Sequence, residues 1–582
     1  MKARWLVFIL SLGLGLVGCL HPKFRPQSAD DAESKEAQEK TIGDVSTVAN
    51  VEPTSVLGVG MVVNLNGTGG GMPPASAYRT MLENDLKARG VRDLNSMLGS
   101  PNNTMVIVTA EIPAGSRKGD AIDAIITLPD QSRCSSLKGG YLVQCELYNY
   151  EMAKRVNPNA QSPNRALKGY KLALAEGRVL VGVEGKAKVR AERAANKASS
   201  DRDEEENSPK LGRVWGGCTC LESPPLALNL NTDQQQARIA ARVADRINET
   251  FPGARIGNDT LATARNRSLI MLGVPSQYRH NLPHYLRVVR AIPLDHVPPK
   301  DGPYRRKLAE QLLDPAHTLV AAIRLEALGE DSVPVLKSAL KEPSFLVRFA
   351  AAEALAYMRK PACGDELARL AKEQPALRAH CLTALASLDE SICRRKLEEL
   401  MGEKDAALRY GAFHGLRVMD DRDSEVAGTK LNNSYWMHQV AKDSPPMVHY
   451  LTSRRPEIVL FGDTQTLVAP FRFAVGEEFT VTANRDDTVC TISRFSATKS
   501  VAHRQCSMNL ADVLQNLSEL GGMYTDAVDL LQKADQQGRI NCEVHADAMP
   551  KPIDVQELAQ IGKNPELRAA LGAMPNLFQT DP

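Results

Sequence analysis

Cysteines are the residues of this chain whose type and spacing most directly allow chemistry, and eleven occur in 582 residues. Cys134 and Cys145 lie at equal distances from the pair Gly139-Gly140. Two glycines favour a two-residue hairpin turn, because both central positions of a type I′ turn need positive φ. That register places Cys134 opposite Cys145 and predicts a cross-strand disulfide, although at a hydrogen-bonded pair, where the spacing is less favourable. Two free thiols on the strand faces are the alternative.

Three other patterns resemble catalytic or ligand-binding motifs only superficially. Cys218-Thr-Cys220 is a lone C-x-C without the second ligand pair that zinc needs. The spacing Ser-x-x-Lys occurs at 135–138 and at 496–499. The serine–lysine chemistry of penicillin-recognising enzymes needs its serine at the start of a helix, whereas Ser135 lies in the predicted hairpin. We therefore expect no zinc at Cys218 and Cys220 and interpret both Ser-x-x-Lys matches as chance.

A glycine-rich segment and a histidine pair complete the candidates. Gly67-Thr-Gly-Gly-Gly71 precedes a predicted helix, where backbone N–H groups can hold an anion. It lacks the Lys-Ser/Thr of a phosphate-binding loop, so a turn that needs positive φ is the favoured interpretation. His280 and His284 are four residues apart, but Pro283 between them disfavours a shared helix face. The sequence thus predicts no catalytic residue, no metal site and no cofactor, and the protein is not expected to be an enzyme.

The first nineteen residues carry a different kind of chemistry. Lys2 and Arg4 precede an uncharged apolar run from Trp5 to Val17, which has the length of a signal peptide and is too short to span a membrane. The run ends in Leu16-Val-Gly-Cys19, which resembles the lipobox of bacterial lipoproteins. The resemblance implies cleavage after residue 18 and a lipid on Cys19, with several buried acyl chains holding the protein to a membrane. An ordinary signal peptide with a chance cysteine is the alternative.

Composition sets broad limits on the mature chain. The net charge of +2 provides no field that attracts nucleic acid. The length predicts three or four domains, and no segment after the leader reaches a membrane-spanning length. Residues 19–50 are polar and charged and are expected to form a lipid-anchored tether. Leu20 stands where an acidic residue favours inner-membrane retention in some bacteria, so the outer membrane is the expected location.

Residues 51–296 are predicted to mix strands and helices. The apolar run at 56–63 and the segments Thr104–Ile112 and Asp120–Leu128 are predicted strands, and a helix is expected from about Ala75 to Arg89. A second helix is expected between Thr232 and Phe251. Residues 186–213 form a highly charged insertion, interpreted as a solvated loop.

Residues 300–422 repeat a helical pattern with a period of about thirty residues. The copies begin at Val347, Leu377 and Leu408, each followed by an arginine, and a degenerate copy lies at 320–328. Partner helices are expected between them, for example at 333–340, 365–371 and 392–401. A helical repeat of this length predicts stacked helix pairs and resembles HEAT-like repeats. Three cysteines fall at core positions of this pattern: Cys363, Cys381 and Cys393.

Residues 431–582 are predicted to form a C-terminal α+β domain without an assigned role. Strands are expected at 458–461, 479–483, 489–495 and 540–544, and helices at 511–520 and 526–534. The predicted fold class is therefore a multidomain α+β chain. It consists of an α+β region, an α-solenoid of HEAT-like repeats and a C-terminal α+β domain.

Six ordered elements of the 51–296 region resemble the bacterial flagellar P-ring protein family. They include Gly58-Val-Gly-Met-Val-Val-Asn-Leu-Asn-Gly-Thr-Gly69, the strand Val106-Ile-Val-Thr-Ala-Glu-Ile-Pro113 and Arg117-Lys-Gly-Asp120-Ala-Ile-Asp123. Ser136-Leu-Lys-Gly-Gly-Tyr-Leu142, Leu226-Ala-Leu-Asn-Leu230 and the helix around 240–248 follow in the same order. The resemblance covers about residues 56–294.

This resemblance implies a structural protein of the periplasm that assembles with copies of itself around the flagellar rod, near the peptidoglycan. Rod and ring proteins are its expected partners, the lipid anchor contacts the membrane, and no nucleic acid is expected to bind. The chain departs from the family in its lipobox, charged insertion, helical repeats and C-terminal domain, and Asn64 replaces a usual glycine. The alternative function is an envelope lipoprotein that docks other proteins on its helical repeats, without a flagellar role.

Overall fold

The computed structural model describes residues 39–152, 166–181, 210–222, 225–256, 259–452, 455–463, 465–476, 478–495, 501–551, 553 and 565–579. The predicted leader, the lipidation residue Cys19, most of the tether and most of the charged insertion lie outside these ranges. Within them, no helix combines the length and the apolar character that crossing a bilayer requires.

The folded region begins about ten residues earlier than the predicted boundary at 51. Its first elements are α1 (Ile42–Val45), β1 (Ser46–Ala49) and β2 (Thr54–Val63). Ile42 and Val45 are fully buried, and β1 pairs with a later strand, so the end of the predicted tether is part of a core. The few apolar residues at 42–48 are surrounded by polar ones, which hid this short segment from composition alone.

A closed barrel of six antiparallel strands, the barrel unit, occupies residues 54–220. The strands follow the order β2-β3-β4-β7-β6-β5, and the last strand returns to the first. Two helices cover one outer side and pack on Val59, Met61 and Met105. The elements are α2 (Ala77–Ala88), α3 (Leu94–Gly99), β3 (Thr104–Ile112), β4 (Ala121–Thr127), β5 (Tyr141–Met152), β6 (Ala166–Arg178) and β7 (Gly212–Cys220).

The predicted strand at Thr104–Ile112 is confirmed, and the predicted strand at 120–128 and helix at 75–89 are confirmed with slightly shorter bounds. In β3 and β4 the buried positions alternate, because successive side chains of a strand point to opposite faces. Gly58 lies where two strands approach closely. A Cβ on it would be 2.4 Å from the carbonyl oxygen of Glu146, so only glycine fits.

A second unit, the sheet unit, combines residues 41–49 with residues 225–294. Its four strands follow the order β1-β8-β12-β11, and two helices pack against them in a separate core. The elements are β8 (Leu226–Leu230), α4 (Ala237–Thr250), β9 (Arg255–Ile256), β10 (Asp259–Thr260), β11 (Ala262–Ala264), β12 (Leu269–Leu272) and α5 (Leu282–Ala291), with 3₁₀ turns at Thr232–Gln234 and Ser276–Tyr278.

Residues 303–419 form stacked helices, the helical array, around one continuous core. The predicted helices at the repeated positions and their partner helices are confirmed, with bounds that differ by a few residues. Cys363, Cys381 and Cys393 are fully buried, as predicted. The helices are α6 (Pro303–Leu313), α7 (Thr318–Ala327), α8 (Val333–Ala339), α9 (Phe345–Tyr357), α10 (Gly364–Glu373), α11 (Arg378–Ser387), α12 (Ser391–Met401) and α13 (Ala406–Met419).

The arginine that recurs in each repeat has one structural task. Its side chain donates to backbone carbonyls at or just after the end of the preceding helix. Arg348 reaches the carbonyls of residues 342 and 343, Arg378 that of residue 371, and Arg409 that of residue 401. The last carbonyls of a helix have no partner inside it, so Arg378 and Arg409 satisfy such groups, whereas Arg348 binds carbonyls of the turn that follows α8.

The C-terminal domain has two sheets, with strand orders β13-β14-β16-β15-β21 and β17-β18-β19-β20. The predicted strand at Phe479–Ala483 and both predicted helices are confirmed, whereas β13, β14, β15, β17 and β20 were not predicted. The elements are β13 (Gly428–Leu431), β14 (Tyr435–Val440), β15 (Met447–Tyr450), β16 (Glu457–Phe461), β17 (Phe471–Val475), β18 (Phe479–Ala483), β19 (Val489–Arg494), β20 (Ala502–Ser507), α14 (Leu510–Glu519), α15 (Tyr524–Gln536), β21 (Glu543–Ala546) and α16 (Pro565–Gly572).

The fold is the predicted multidomain α+β class. The barrel unit and the C-terminal domain are in direct contact. Leu180 of the barrel unit belongs to the core of the C-terminal domain, and Trp215 packs against the same core.

Candidate functional site

The glycine-rich loop after β2 forms a turn in which three consecutive N–H groups donate inside the protein. The N–H of Gly67 donates to the side chain of Asn102 at 2.8 Å, and that of Gly69 donates to the carbonyl of Pro101 at 2.9 Å. Thr68 donates its N–H to Leu65. These three N–H groups are therefore not free to form part of an anion cradle.

Asn64 lies at the start of this turn with φ of +65°. Only glycine enters this left-handed region without cost, and asparagine is the residue that tolerates it best among the others. The sequence departure at this position therefore keeps the backbone conformation that the turn requires.

Two aspartates of the segment 117–123 join parts of the fold. Asp123 accepts the N–H of Gly216 within the barrel at 2.6 Å. Asp120 accepts the N–H of Arg117 at 2.8 Å and forms a 2.6 Å ion pair with Arg279 of the sheet unit. Arg117 in turn donates to the carbonyl of Val274 at 2.9 Å. These residues hold the barrel unit against the sheet unit.

The predicted hairpin around Gly139-Gly140 is wrong in its first strand. Residues 134–137 lie outside any strand, and β5 pairs with β2 and β6 instead. Cys134 is therefore not placed opposite Cys145, and both thiols are free and buried with different neighbours. The predicted register followed from placing a two-residue turn at Gly139-Gly140. In the closed barrel, β5 pairs with β2 and β6 instead.

The other cysteines of the barrel are interior side chains. Cys218 and Cys220 are both fully buried on β7. Burial raises the pKa of the Cys218 thiol to about 12, and likewise that of the Cys145 thiol. Protonated thiols in this position behave as small apolar residues. Among the residues that the structure describes, no group of three histidine, cysteine or acidic side chains could hold a metal ion.

The two Ser-x-x-Lys matches and the histidine pair also form no site. Ser135 lies outside any helix or strand, and its hydroxyl donates to the carbonyl of Thr68; residues 496–499 lie outside the described ranges. His280 precedes α5, whereas His284 lies in its first turn, capped by the side chain of Asn281. The two histidines do not share a helix face because the helix begins after His280, but Pro283 lies in its first turn and, contrary to the prediction, does not prevent the helix.

A buried polar cluster, the first joint, connects the sheet unit with the helical array. His284 of α5 lies 2.8 Å from Glu326 of α7 and 3.7 Å from Glu353 of α9. His380 of α11 lies 3.6 Å from the other oxygen of Glu353. Tyr278 donates to Glu326 at 2.5 Å. Four helices thus meet through side chains with almost no solvent exposure.

Charge in this joint is balanced by the histidine. Burial lowers the pKa of His284, but Glu326 and Glu353 outweigh burial, and the net direction is upward. Burial raises the pKa of Glu326, only partly offset by His284. For Glu353, burial is outweighed by His284 and His380, so its pKa is lowered. Glu353 is therefore the ionised carboxylate of the joint, and Glu326 is the carboxyl held toward its protonated form.

A second joint links the helical array to the C-terminal domain. Glu457 of β16 is fully buried and accepts from Tyr410 at 2.7 Å and from Arg417, both on α13. His438 lies 3.9 Å from the same carboxylate. Burial raises the pKa of Glu457, but Arg417 outweighs it and brings the value to about 2. This carboxylate is thus held ionised inside the protein.

The C-terminal segment 565–579 ties several parts together. The carbonyl of Leu571 accepts from His380 at 3.2 Å, and the carbonyl of Leu577 is 3.2 Å from the ring nitrogen of His414. The side chain of Asn576 accepts the N–H of Leu282 at the start of α5, at 2.8 Å. The segment therefore spans the sheet unit and the array.

A cleft of about 760 Å³ opens beside the first joint. Arginines line it, but most are already engaged: Arg117 with Val274, Arg359 with Ser276, and Arg246 with Pro293 and Glu249. No nucleophile with an adjacent base lies among its lining residues. What the arrangement can do is hold domains in fixed positions. Sequence patterns did not reveal the joints, because the side chains that contact each other there lie 19 to 69 residues apart along the chain and belong to no motif.

Comparison with known proteins finds similarity in the first two units. Residues 41–301 match the family model of the flagellar P-ring protein. The match starts at α1, in agreement with the structure, and ends just before the helical array.

Curated relatives of the same family match this chain as well. The flagellar P-ring protein of Oleidesulfovibrio alaskensis is 26% identical over 267 residues, which is 44% of this chain and 61% of the relative. That of Thermotoga maritima is 29% identical over 43% of this chain and 66% of its own length. That of Escherichia coli is 27% identical over 41% of this chain and 58% of its own length. The chain spans about three fifths of the length of these relatives.

A solved structure of human deoxyhypusine hydroxylase in complex with glycerol aligns with 22% of this chain and 48% of its own, at 22% identity and a TM-score of 0.19. Such a weak likeness carries no argument about fold or function.

Proposed function

We propose that this protein is a structural component of the bacterial flagellar basal body, which assembles with copies of itself around the rod in the periplasm and supports motility. The observation that carries the proposal is the match of residues 41–301 to the flagellar P-ring family. Residues that carry the resemblance, including Asp120 and Gly67, lie at the turns and contacts that shape this region. Catalysis is no part of the proposed role.

Self-association has a physical basis on the surface of the matched region. Large apolar side chains on the outside of a protein are enriched where other proteins bind. Tyr170 on β6 is 79% exposed, and Tyr78 at the start of α2 is 40% exposed. Further exposed apolar residues of this region are Val51, Met72 and Val297.

The rest of the chain extends this role. In the proposal, a lipid on Cys19 holds the protein to the outer membrane, and the tether places the folded parts in the periplasm near the peptidoglycan. The helical array offers an extended surface to other ring or rod proteins. The first joint fixes the array relative to the P-ring-like region, so that what binds the array is held at a set distance from the ring.

Electron microscopy of the full chain purified in detergent tests self-assembly. We expect closed rings in the wild type. Tyr170→Glu is expected to reduce or abolish rings, since it introduces a charge at a side chain that a neighbouring copy would cover. Leu313→Glu is the matched control, because Leu313 is equally apolar, 51% exposed and outside the matched residues. A wild-type protein that stays monomeric at high concentration would remove the self-assembly proposal.

Cells test the flagellar role and the anchor. A deletion strain is expected to lose swimming and to lack ring density in tomograms of its basal bodies. Cys19→Ser is expected to release the protein from the membrane fraction, whereas Cys542→Ser is not. Normal swimming with intact rings, together with co-purification of unrelated proteins, would instead support an envelope lipoprotein that docks partners on its helical array.

A further inference from the structure

Two cysteines of the C-terminal domain face each other across a pair of strands. In the register of β19 and β20, Cys490 is directly opposite Cys506. Their sulfur atoms are 3.4 Å apart, within contact distance. Among the described residues this is the one sulfur–sulfur contact within hydrogen-bonding range. The backbone therefore already brings two thiols to positions from which an S–S bond can form with a small side-chain movement.

We propose that Cys490 and Cys506 form a disulfide in the mature protein, made by exchange with a protein disulfide of the oxidising compartment. The inference rests on the proposed function only in assuming export to that compartment. The sequence had left open how the cysteines of this domain pair. The geometry selects these two and leaves Cys542, which is partly exposed, as a free thiol.

The two thiols differ in the way that stepwise exchange needs. Cys490 is fully buried, whereas Cys506 is 9% exposed on β20, the edge strand of its sheet. The hydrogen bond between them raises the pKa of Cys490 and lowers the pKa of Cys506. The more accessible sulfur is thus also the one that more readily becomes a thiolate, which is the reactive form.

The reaction balances as two exchanges. The Cys506 thiolate attacks one sulfur of the oxidant's disulfide, forming a mixed disulfide and releasing the oxidant's other sulfur as a thiolate. Cys490 then loses its proton and attacks the Cys506 sulfur, which forms the Cys490–Cys506 bond and releases the second sulfur of the oxidant. Two electrons pass to the oxidant, which leaves as a dithiol after taking up the two protons that the cysteines lost.

The bond would link β19 and β20 between two positions that are sixteen apart along the chain. Phe495, just after β19, and Val501, just before β20, are 51% and 50% exposed. A crosslink restricts the unfolded chain, so it stabilises the domain and the pairing of the two strands.

Peptide mass spectrometry of the purified full chain tests the pairing itself. The reduced protein is incubated with oxidised glutathione, its remaining thiols are alkylated, and it is digested. We expect a linked peptide pair that contains Cys490 and Cys506 and that disappears on reduction. Alkylation of both residues, or a link from either to Cys542, would overturn the inference, whatever the location of the protein in cells.

Thermal unfolding supplies a second readout. Reductant is expected to lower the Tm of the oxidised wild type by about 10 °C, a shift scaled from a loop of this size. The double variant Cys490→Ala/Cys506→Ala should not respond to reductant, while Cys542→Ser should respond as the wild type does. An equal response of the double variant would contradict the proposal.

Alkylation of the thiols directly in cells distinguishes failure of this inference from failure of the proposed function. A link that forms with glutathione but is missing in cells would show that the two cysteines can pair and would count against export. A link found in both settings supports the disulfide and the oxidising location together.

Discussion

The hydroxyl of Tyr410 donates a 2.7 Å hydrogen bond to the carboxylate of Glu457, and this bond joins the last helix of the array to a central strand of the C-terminal domain. His449 stacks on the same tyrosine, with ring centroids 4.0 Å apart. Its Nε2 donates to the carbonyl of Ala548 at 3.1 Å, and its Nδ1 is buried without a partner. The joint therefore contains a carboxylate that must be charged and an imidazole that must be neutral.

We predict that acid weakens this joint first. Burial lowers the pKa of His449 to about 3 and that of His438 to about 4, and Glu457 has a pKa of about 2. All three values lie below those of the unfolded chain, so the unfolded state binds more protons as pH falls. The histidines cost stability from about pH 6.5 downward, and Glu457 from about pH 4.5 downward. Calorimetry between pH 7 and pH 4 should show the Tm falling throughout this range.

His449→Phe separates this effect from general acid sensitivity. Phenylalanine keeps the stacking on Tyr410 but cannot take up a proton, so the loss of stability below pH 6.5 should become smaller. His296→Phe changes a largely exposed histidine and should leave the pH dependence unchanged. The explanation fails if both variants titrate like the wild type.

We predict that replacing the two carboxylates of the first joint lowers the free energy of unfolding by unequal amounts. Glu326→Gln is expected to cost about 1 kcal/mol, because Glu326 is already held toward its neutral form and an amide oxygen still accepts from Tyr278. Glu353→Gln is expected to cost about 3–5 kcal/mol, since it removes the charge that His284 and His380 face in a buried site. Urea denaturation of the two variants at neutral pH measures the difference. Equal costs would contradict the assignment of charge.

Replacing one repeat arginine should destabilise the helical array. Arg409 is 2% exposed, donates to the carbonyl of Met401, and also contacts the hydroxyl of Ser444 and the carbonyl of Pro445. Arg409→Met leaves the buried carbonyl of Met401 without this donor and removes the contacts with the half-buried Ser444 and the exposed Pro445, at a cost of about 3 kcal/mol.

Arg395→Ala on the neighbouring helix α12 is the matched control for this variant. Arg395 is exposed, so a change within about 0.5 kcal/mol is expected. Chemical denaturation followed by the helical circular dichroism signal compares the two. A neutral Arg409→Met variant would show that water can replace the arginine.

The turn at Asn64 gives a test of backbone strain. Its φ of +65° is open to glycine, so Asn64→Gly should change the free energy of unfolding by less than about 0.5 kcal/mol. Asn64→Val should cost about 1–3 kcal/mol, since a β-branched residue is strained in this region. Thermal unfolding of both variants decides the matter, and a tolerated valine would argue that the turn rearranges.

Sequence reasoning worked best where a pattern is local. The strand at Thr104–Ile112 and the helices of the array follow from alternation and helical periodicity over short segments. The joints escaped it, because His284, Glu353 and His380 come together only after four helices have packed. The position of Cys134 was also beyond local reasoning: a plausible two-residue turn was overridden when β5 found its partners in β2 and β6.

The edge strands of the C-terminal domain were missed for a related reason. β20 has one buried side chain, Cys506, in an otherwise solvent-facing strand. Such a strand has no clear alternation, since only its neighbour β19 and the helix beside it define which side is inward. Pairing partners, which sequence alone does not supply, decide its conformation.

The closed barrel also limits how copies of this protein can meet. Each of its six strands already has a neighbour on both sides, so an incoming copy finds no row of unpaired backbone groups to extend. Contact with the barrel wall must then use side chains on a curved surface, where shape and charge decide which orientations fit. Selection of that kind favours a defined number of copies over the open-ended stacking that exposed strand edges allow.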